Sequence, residues 1–192
     1  MSFLSRIFRR TPVASSGRLM VDAIMAQIYQ AQPMSAAHYN ESRSAVECVL
    51  VYDAVDHWHF VTVGLTRIDS PRKPLECELS MRVRKREGHD SPPPLWPVAF
   101  LDNLAGHVSR GLPFGQATSF RTGPVEGSPP ELAMEGAIAL SDPGVPRYDG
   151  PLGRLMIMLA VGLTGPTLSA IKSNGGAEFI ARISEDRSSW LT

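Results

Sequence analysis

Hydrophobic and polar residues alternate most regularly between Leu75 and Arg84, in the stretch LECELSMRVR. Apolar side chains take every second position, and charged or hydroxyl side chains take the positions between them. This period of two predicts a β-strand with one buried face and one face open to solvent or to a partner. We therefore expect the strand to belong to an antiparallel sheet that is wet on one side. The charged residues of the predicted wet face are Glu76, Glu78, Arg82 and Arg84.

Other apolar segments predict further strands because they are rich in β-branched residues and end at turn residues. They are 46–53 (VECVLVYD), 57–65 (HWHFVTVGL), 132–140 (LAMEGAIAL) and 153–163 (GRLMIMLAVGL). The segment 153–163 is apolar on both faces, so we place it centrally in the sheet. The polar stretch 35–44 and the Pro/Gly-rich stretch 144–153 predict loops.

Apolar residues spaced three and four apart predict helices in four places. The predicted helices run from an N-cap at Ser16 to Pro33, from Pro97 to Gly111, from a cap at Thr164 to Gly175, and through Phe179, Ile180 and Ile183. Proline suits a first helical turn because its missing N–H is not needed there. The proline-rich stretch 92–97 is therefore interpreted as a helix entry within one domain, not as a linker.

The mixture of strands and helices lacks a regular βαβ alternation. It predicts an α+β fold, with helices flanking a mixed, largely antiparallel sheet. With 192 residues, one domain is expected. We assign residues 1–16 to a flexible basic leader and residues 17–192 to a single domain.

Charge and composition narrow the class of protein. Nineteen basic and nineteen acidic residues give a formal net charge of zero, which argues against a nucleic-acid-binding protein. The basic run RVRKR at 82–86 is interpreted as a solvated surface. Cys48 and Cys77 are too few for a disulfide framework and predict buried thiols in the cytoplasm.

Neither the apolar runs nor the start of the sequence predicts insertion into a membrane. No apolar run is long enough to span a bilayer, and no apolar core follows the start MSFLSRIFRR as in a secretory signal. The leader is interpreted as a loosely packed terminus. Weak contact of its apolar side with an anionic membrane surface is the alternative.

One pair of residues has the chemistry for a metal site. His57 and His59 lie two positions apart on a predicted strand, so both imidazoles would share one face. Zinc needs further ligands, and no spacing selects one among His107, Cys48 and Cys77. A structural role is the preferred interpretation. Phosphate-binding and dinucleotide-binding glycine loops and a nucleophile elbow are absent from the sequence, so no catalytic, cofactor-binding or metal-binding residue is assigned.

Several segments, in order, resemble the suppressor-of-fused domain. They are MVDAIMAQIYQAQP, HWHFVTVGLTRI, LECELSMRVRK, SPPPLWPVAFLDNLAGHV, GLPFGQATSF, IALSDPG and GRLMIMLAVGLTGPTLSAI. The resemblance extends from Gly17 to Ile183, whereas the final RISEDRSSWLT departs from the family pattern. It implies an α/β sandwich and a non-enzymatic protein that acts by binding another protein.

Single-domain bacterial members of that family resemble immunity proteins encoded beside polymorphic toxins. The resemblance therefore implies a cytoplasmic protein that binds and neutralises a toxin, without a cofactor. An adaptor or regulator of a cellular partner, binding by strand addition at a sheet edge, is the alternative. A small metal-dependent enzyme built on His57 and His59 is the remote alternative. The predicted partner surface comprises Glu76, Glu78, Arg82 and Arg84, with Arg147 and Tyr148 in the loop 143–151.

Overall fold

The computed structural model describes residues 15–38, 45–66, 75–85, 92–111, 115, 117–174, 176, 179–181 and 183. Residues 1–14 of the predicted leader lie outside the described residues, as does the divergent C-terminal stretch 184–192. The helices are α1 (Ser16–Met25), α2 (Trp96–Ser109) and α3 (Gly165–Asn174), with a 3₁₀ turn at Pro130–Leu132.

The strands form one mixed sheet. They are β1 (Ser35–His38), β2 (Cys48–Asp53), β3 (His57–Val63), β4 (Cys77–Arg84), β5 (Thr118–Arg121), β6 (Met134–Ser141), β7 (Tyr148–Gly150) and β8 (Gly153–Thr164). The order across the sheet is β1-β2-β3-β4-β8-β6-β5, and β7 pairs with the beginning of β8. Within the described residues, only β4 and β8 pair in parallel, with Cys77 opposite Met156. The other strand pairs are antiparallel, which confirms the predicted fold class.

Helices cover both faces of the sheet. On one face, α2 packs through Phe100, Leu101 and Leu104 onto apolar residues of β2, β3 and β4. On the other face, α1 packs on β2, β3 and β8, and α3 packs beside it on β6 and β8. Because the central strands are covered on both sides, even alternating sequences in them become buried on both faces.

The start of α2 confirms that the proline-rich stretch leads into a helix. Pro97 lies in the first turn of α2, and Trp96 is only 6% exposed within the core beneath it. Gly111 follows the helix at φ +80, a left-handed conformation that glycine adopts without steric cost. The stretch 92–97 therefore leads directly into a helix that packs on the sheet.

Four local predictions were wrong. Residues 35–38 of the predicted loop form β1, because their backbone pairs with β2. Residues 148–150 of the predicted loop 144–153 form β7 by pairing with β8. The first helix ends at Met25, well before Pro33, and its N-cap is Ser15 instead of Ser16. The predicted cap at Thr164 is confirmed, since its hydroxyl accepts from the Thr167 amide at 3.4 Å.

Replacing Ser15 by alanine is expected to lower the free energy of unfolding by about 1 kcal/mol. Its hydroxyl oxygen accepts from the Arg18 amide at 3.2 Å, and its hydroxyl donates to the Glu47 carboxylate at 3.0 Å. Urea denaturation measures the loss, with Ser16→Ala in the adjacent position as the control. Equal, small effects of the two substitutions would contradict the assignment of the cap.

Candidate partner-binding surface

The predicted wet face of β4 is largely buried. Glu78 and Ser80 are 0% exposed and Arg82 is 8% exposed. The expectation that these side chains face solvent was wrong, because α1 and the segment that follows β6 cover this face of the sheet. Glu76 and Arg84, at the two ends of the stretch, are exposed as predicted.

Glu78 lies in a cage of hydrogen-bond donors. Its Oε1 accepts from the Gly64 amide at 2.9 Å, the Thr66 amide at 3.1 Å and the Thr66 hydroxyl at 2.9 Å. Its Oε2 accepts from the Thr62 hydroxyl at 2.6 Å. The turn after β3 is shaped for these contacts: Gly64 has φ +130, and a Cβ there would lie 2.5 Å from the Glu47 amide nitrogen.

Burial and hydrogen bonding have opposite effects on Glu78. Removal from water disfavours the charged carboxylate and raises its pKa to about 7, while the bonds from Thr62, Gly64 and Thr66 limit the rise. Glu78 therefore keeps its proton to a higher pH than an exposed glutamate does, and it is too deeply buried to contact a partner in this structure.

Arg82 and Asp142 form a buried ion pair. Nη2 of Arg82 donates to both carboxylate oxygens of Asp142, at 2.7 and 2.9 Å. The Ser80 hydroxyl and the Gly144 amide also donate to Asp142, at 3.2 and 2.9 Å. A buried charge pair is tolerated when further hydrogen bonds satisfy its oxygens. These bonds fasten the segment after β6 to the middle of β4.

The histidine pair of β3 borders this ion pair. Nε2 of His59 lies 3.8 Å from Asp142, and Nδ1 is 2.9 Å from the hydroxyl of Tyr29, which follows α1. Burial, with the nearby Arg82 and His57, lowers the pKa of His59 well below its usual value. His59 is therefore a neutral core residue that links α1 to the sheet.

His57 shares a face with His59, as predicted, with ring centroids 6.1 Å apart. Its Nδ1 lies 2.7 Å from the Asp56 carboxylate, and burial lowers its pKa. Among the residues that the structure describes, no group of three or more His, Cys, Asp and Glu side chains could hold a metal ion. The remote alternative, a metal-dependent enzyme built on His57 and His59, would need a third ligand. Within the described residues, the structure supplies no such group.

The Arg82–Asp142 ion pair holds the beginning of the segment 142–150, which carries exposed residues. Arg147 is exposed, and Tyr148 is half-buried against the apolar cluster beneath α1. A Cβ on Gly150 would lie 2.7 Å from the Tyr148 ring, so glycine lets this ring lie against the backbone of β7. Arg147 and Tyr148 thus follow Asp142 by five and six residues in the same segment.

The other two exposed candidates, Glu76 and Arg84, lie at opposite ends of the stretch 75–84. Glu76 and Arg84 are eight residues apart along an extended strand, which separates them by roughly 26 Å. The predicted partner surface therefore comprises two buried residues, Glu78 and Arg82, and several exposed positions.

The two cysteines are buried free thiols, as predicted, and burial raises the pKa of Cys77 to about 12.

Sequence reasoning missed Asp142 and Tyr29. The stretch SDPG signals a turn and so could have placed Asp142 at a strand end. Nothing in the sequence identifies Arg82, sixty positions away, as its partner.

The fold and the site define a class of protein: an α/β sandwich domain in which the buried Arg82–Asp142 ion pair holds a surface segment in place. The family model of the suppressor of fused protein (SUFU) matches residues 44–192. This match covers more than half of the chain, so the protein belongs to the suppressor of fused family.

Solved structures agree in fold. A chain from the crystal structure of the Sufu–Fu complex aligns with a TM-score of 0.75 and 18% identity, over 92% of this chain and 88% of that chain. Drosophila Suppressor of Fused aligns with a TM-score of 0.76 and 18% identity, over 93% of this chain and 49% of that chain. This chain thus spans about half the length of the Drosophila protein.

A bacterial protein has the same fold. A putative SUFU homolog from Neisseria gonorrhoeae aligns with a TM-score of 0.65 and 12% identity, over 92% of this chain and 93% of that chain. Comparison with curated protein sequences finds no match. Within the described residues, no helix is both long enough and apolar enough to cross a bilayer.

Proposed function

We propose that this suppressor of fused domain is a non-enzymatic immunity protein that binds a toxin encoded beside its gene and neutralises it in the cytoplasm. Membership of a protein-binding family supports a binding function. A structural relative was crystallised in the Sufu–Fu complex, and the fold extends over nearly the whole length of a bacterial homolog. The resemblance to single-domain bacterial members supports the choice of a toxin as the partner.

The observation that carries the proposal is the fixed geometry of the segment 142–150. The bonds from Arg82, Ser80 and Gly144 to Asp142 hold its beginning, and pairing with β8 holds its end. A binding segment that is already ordered loses little conformational entropy on association. Arginine and tyrosine are also the residue types most enriched among energetically dominant interface contacts. Arg147 and Tyr148 are therefore the preferred contacts.

Replacing Arg147 by alanine is expected to weaken binding of the toxin roughly tenfold or more, the loss typical of a dominant interface residue. Binding would be measured by calorimetry with the purified toxin domain of the neighbouring gene. Arg110→Ala is the matched control, because Arg110 is an exposed arginine at the end of α2, on the opposite face of the sheet. The control is expected to bind like the unmodified protein.

A protection assay tests the function itself. Cells that express the neighbouring toxin should survive when the unmodified domain is co-expressed and should survive less well with the Arg147 variant. Failure of the unmodified domain to bind or protect against that toxin would overturn the immunity function. If Arg147→Ala leaves binding and protection unchanged, the interface would instead be assigned to the exposed positions Glu76 and Arg84.

The edges of the sheet favour the second candidate function, an adaptor for a cellular partner. Within the described residues, the sheet ends at β1 on one side and β5 on the other, each four residues long. A peptide could add to such an edge through main-chain hydrogen bonds. Proline substitutions in β5 that abolish binding of a cellular partner, in a folded protein, would support this function.

A further inference from the structure

The first turn of α1 lies directly over the Glu78 carboxylate. Gly17 is buried there, and a Cβ on Gly17 would lie 2.3 Å from Oγ1 of Thr66 and 3.9 Å from Oε1 of Glu78. Only glycine permits this approach without displacing Thr66, whose hydroxyl donates to Glu78. The helix start, the turn after β3 and the carboxylate therefore pack as one unit.

The donors around Glu78 determine where a proton would be held. Three donors from Gly64 and Thr66 converge on Oε1 and leave Oε2 as the oxygen that can carry a proton. Oε2 faces the hydroxyl of Thr62, whose oxygen already accepts from the Leu79 amide at 2.8 Å. Protonation of Glu78 reverses the bond with Thr62, whose own hydroxyl hydrogen then no longer donates to Glu78, and leaves the three contacts to Oε1 in place. The neutral acid is therefore accommodated by a change at Thr62 alone.

The charges near Glu78 offer the ionised form little help. In α1, Arg18 is paired with Asp22 at 2.8 Å and lies 3.9 Å from Cys48 Sγ of β2. The half-buried Glu47 accepts from Ser15, and Cys77 precedes Glu78 in β4. The hydrogen-bond donors to Glu78 described above are all uncharged. Ionisation therefore places a negative charge in a covered site that is stabilised by neutral dipoles alone.

We propose that the first turn of α1 is a proton-gated cover. It stays packed over Glu78 while this residue is neutral, and it separates from Glu78 more readily once the carboxylate is ionised. Lifting the turn lets water reach the carboxylate and removes the cost of burying its charge. By linkage, any opening that hydrates Glu78 releases a proton and is favoured by rising pH. The raised pKa of about 7 places this response between pH 4.5 and 7.

Hydrogen exchange measured by NMR tests the cover in the full chain. Amides of residues 19–24, Gly64 and Thr66 should show an opening equilibrium that rises by up to about tenfold per pH unit between pH 5 and 7, after correction for intrinsic exchange. Amides of α3 serve as the internal control, since local opening of α3 does not uncover Glu78. Glu78→Gln, which keeps the acceptor at Oε1, should abolish the response, and Glu76→Gln on the exposed end of β4 should not.

Two results would overturn the proposal. One is pH-independent protection of α1 in the unmodified protein, and the other is an equal response in Glu78→Gln. Should Glu78→Gln fail to fold, Thr66→Ala provides the second test. It removes one donor to Oε1 and should move the midpoint of the response to higher pH. An unchanged midpoint in Thr66→Ala would contradict the cage as the cause.

Discussion

Replacing Asp142 by alanine is expected to lower the free energy of unfolding by about 3–5 kcal/mol. The substitution removes the carboxylate that pairs with the buried guanidinium of Arg82 and accepts from the Ser80 hydroxyl and the Gly144 amide. Removing one partner of a buried ion pair costs far more than the loss of an exposed ion pair. Chemical denaturation of the two proteins at one pH measures the difference directly.

Asp149→Ala is the matched control for Asp142→Ala. Asp149 pairs with Arg154 at 3.8 Å, but both side chains are mostly exposed, so its loss should change stability by less than about 1 kcal/mol. Replacing Arg82 by methionine together with Asp142 by leucine should recover much of the stability lost by Asp142→Ala, since both charged partners of the buried pair are then removed. A cost below about 1 kcal/mol for Asp142→Ala would contradict the ion pair as a major source of stability.

The segment 142–150 links this stability to binding. When Asp142 is lost, the beginning of the segment loses its attachment to β4, while β7 still pairs with β8. Under the proposed function, the Asp142 variant should therefore bind its partner more weakly even at temperatures where it remains folded. Arg147→Ala should weaken binding without that loss of stability, because Arg147 is exposed.

The pattern of β4 shows both the value and the limit of sequence reasoning. Its alternation of apolar and polar residues correctly predicts an extended strand, because backbone geometry places successive side chains on opposite faces. Alternation does not reveal what covers the polar face. Here α1 and the segment after β6 cover it, so Glu78 and Arg82 are satisfied by residues that are distant in sequence.

The strand order and the buried contacts of Glu78 and Arg82 could not be predicted from local sequence patterns. Elements with strong local signals, such as α2 after Pro97 and β8, were predicted with the correct type. The parallel pairing of β4 with β8 brings together segments more than seventy residues apart, and no local pattern specifies it. The short strands β1 and β7 exist because longer neighbours offer them hydrogen-bond partners, so their own sequences predicted loops.

Glu78→Gln is expected to change the pH dependence of global stability. The raised folded pKa means that between pH 4.5 and about 7 the folded protein holds a proton that the unfolded chain has released. The stability associated with this proton is fully present below pH 4.5 and is lost as pH rises to about 7. The loss amounts to at most 1.4 kcal/mol per pH unit and about 3 kcal/mol in total. Glutamine cannot ionise, so the variant should lack this loss.

The decisive quantity is the stability of Glu78→Gln minus that of the unmodified protein, measured by denaturation from pH 5 to 8. Burial lowers the pKa of His57 and His59, so both histidines reduce stability as pH falls below 6.5 and oppose the Glu78 effect in each protein. Their contribution cancels in the difference, which should therefore rise with increasing pH, by up to about 3 kcal/mol above its low-pH value. The exposed Glu76→Gln should give a flat difference. A flat difference for Glu78→Gln as well would mean that the donors from Thr62, Gly64 and Thr66 fully compensate the buried charge, and that Glu78 is ionised throughout this range.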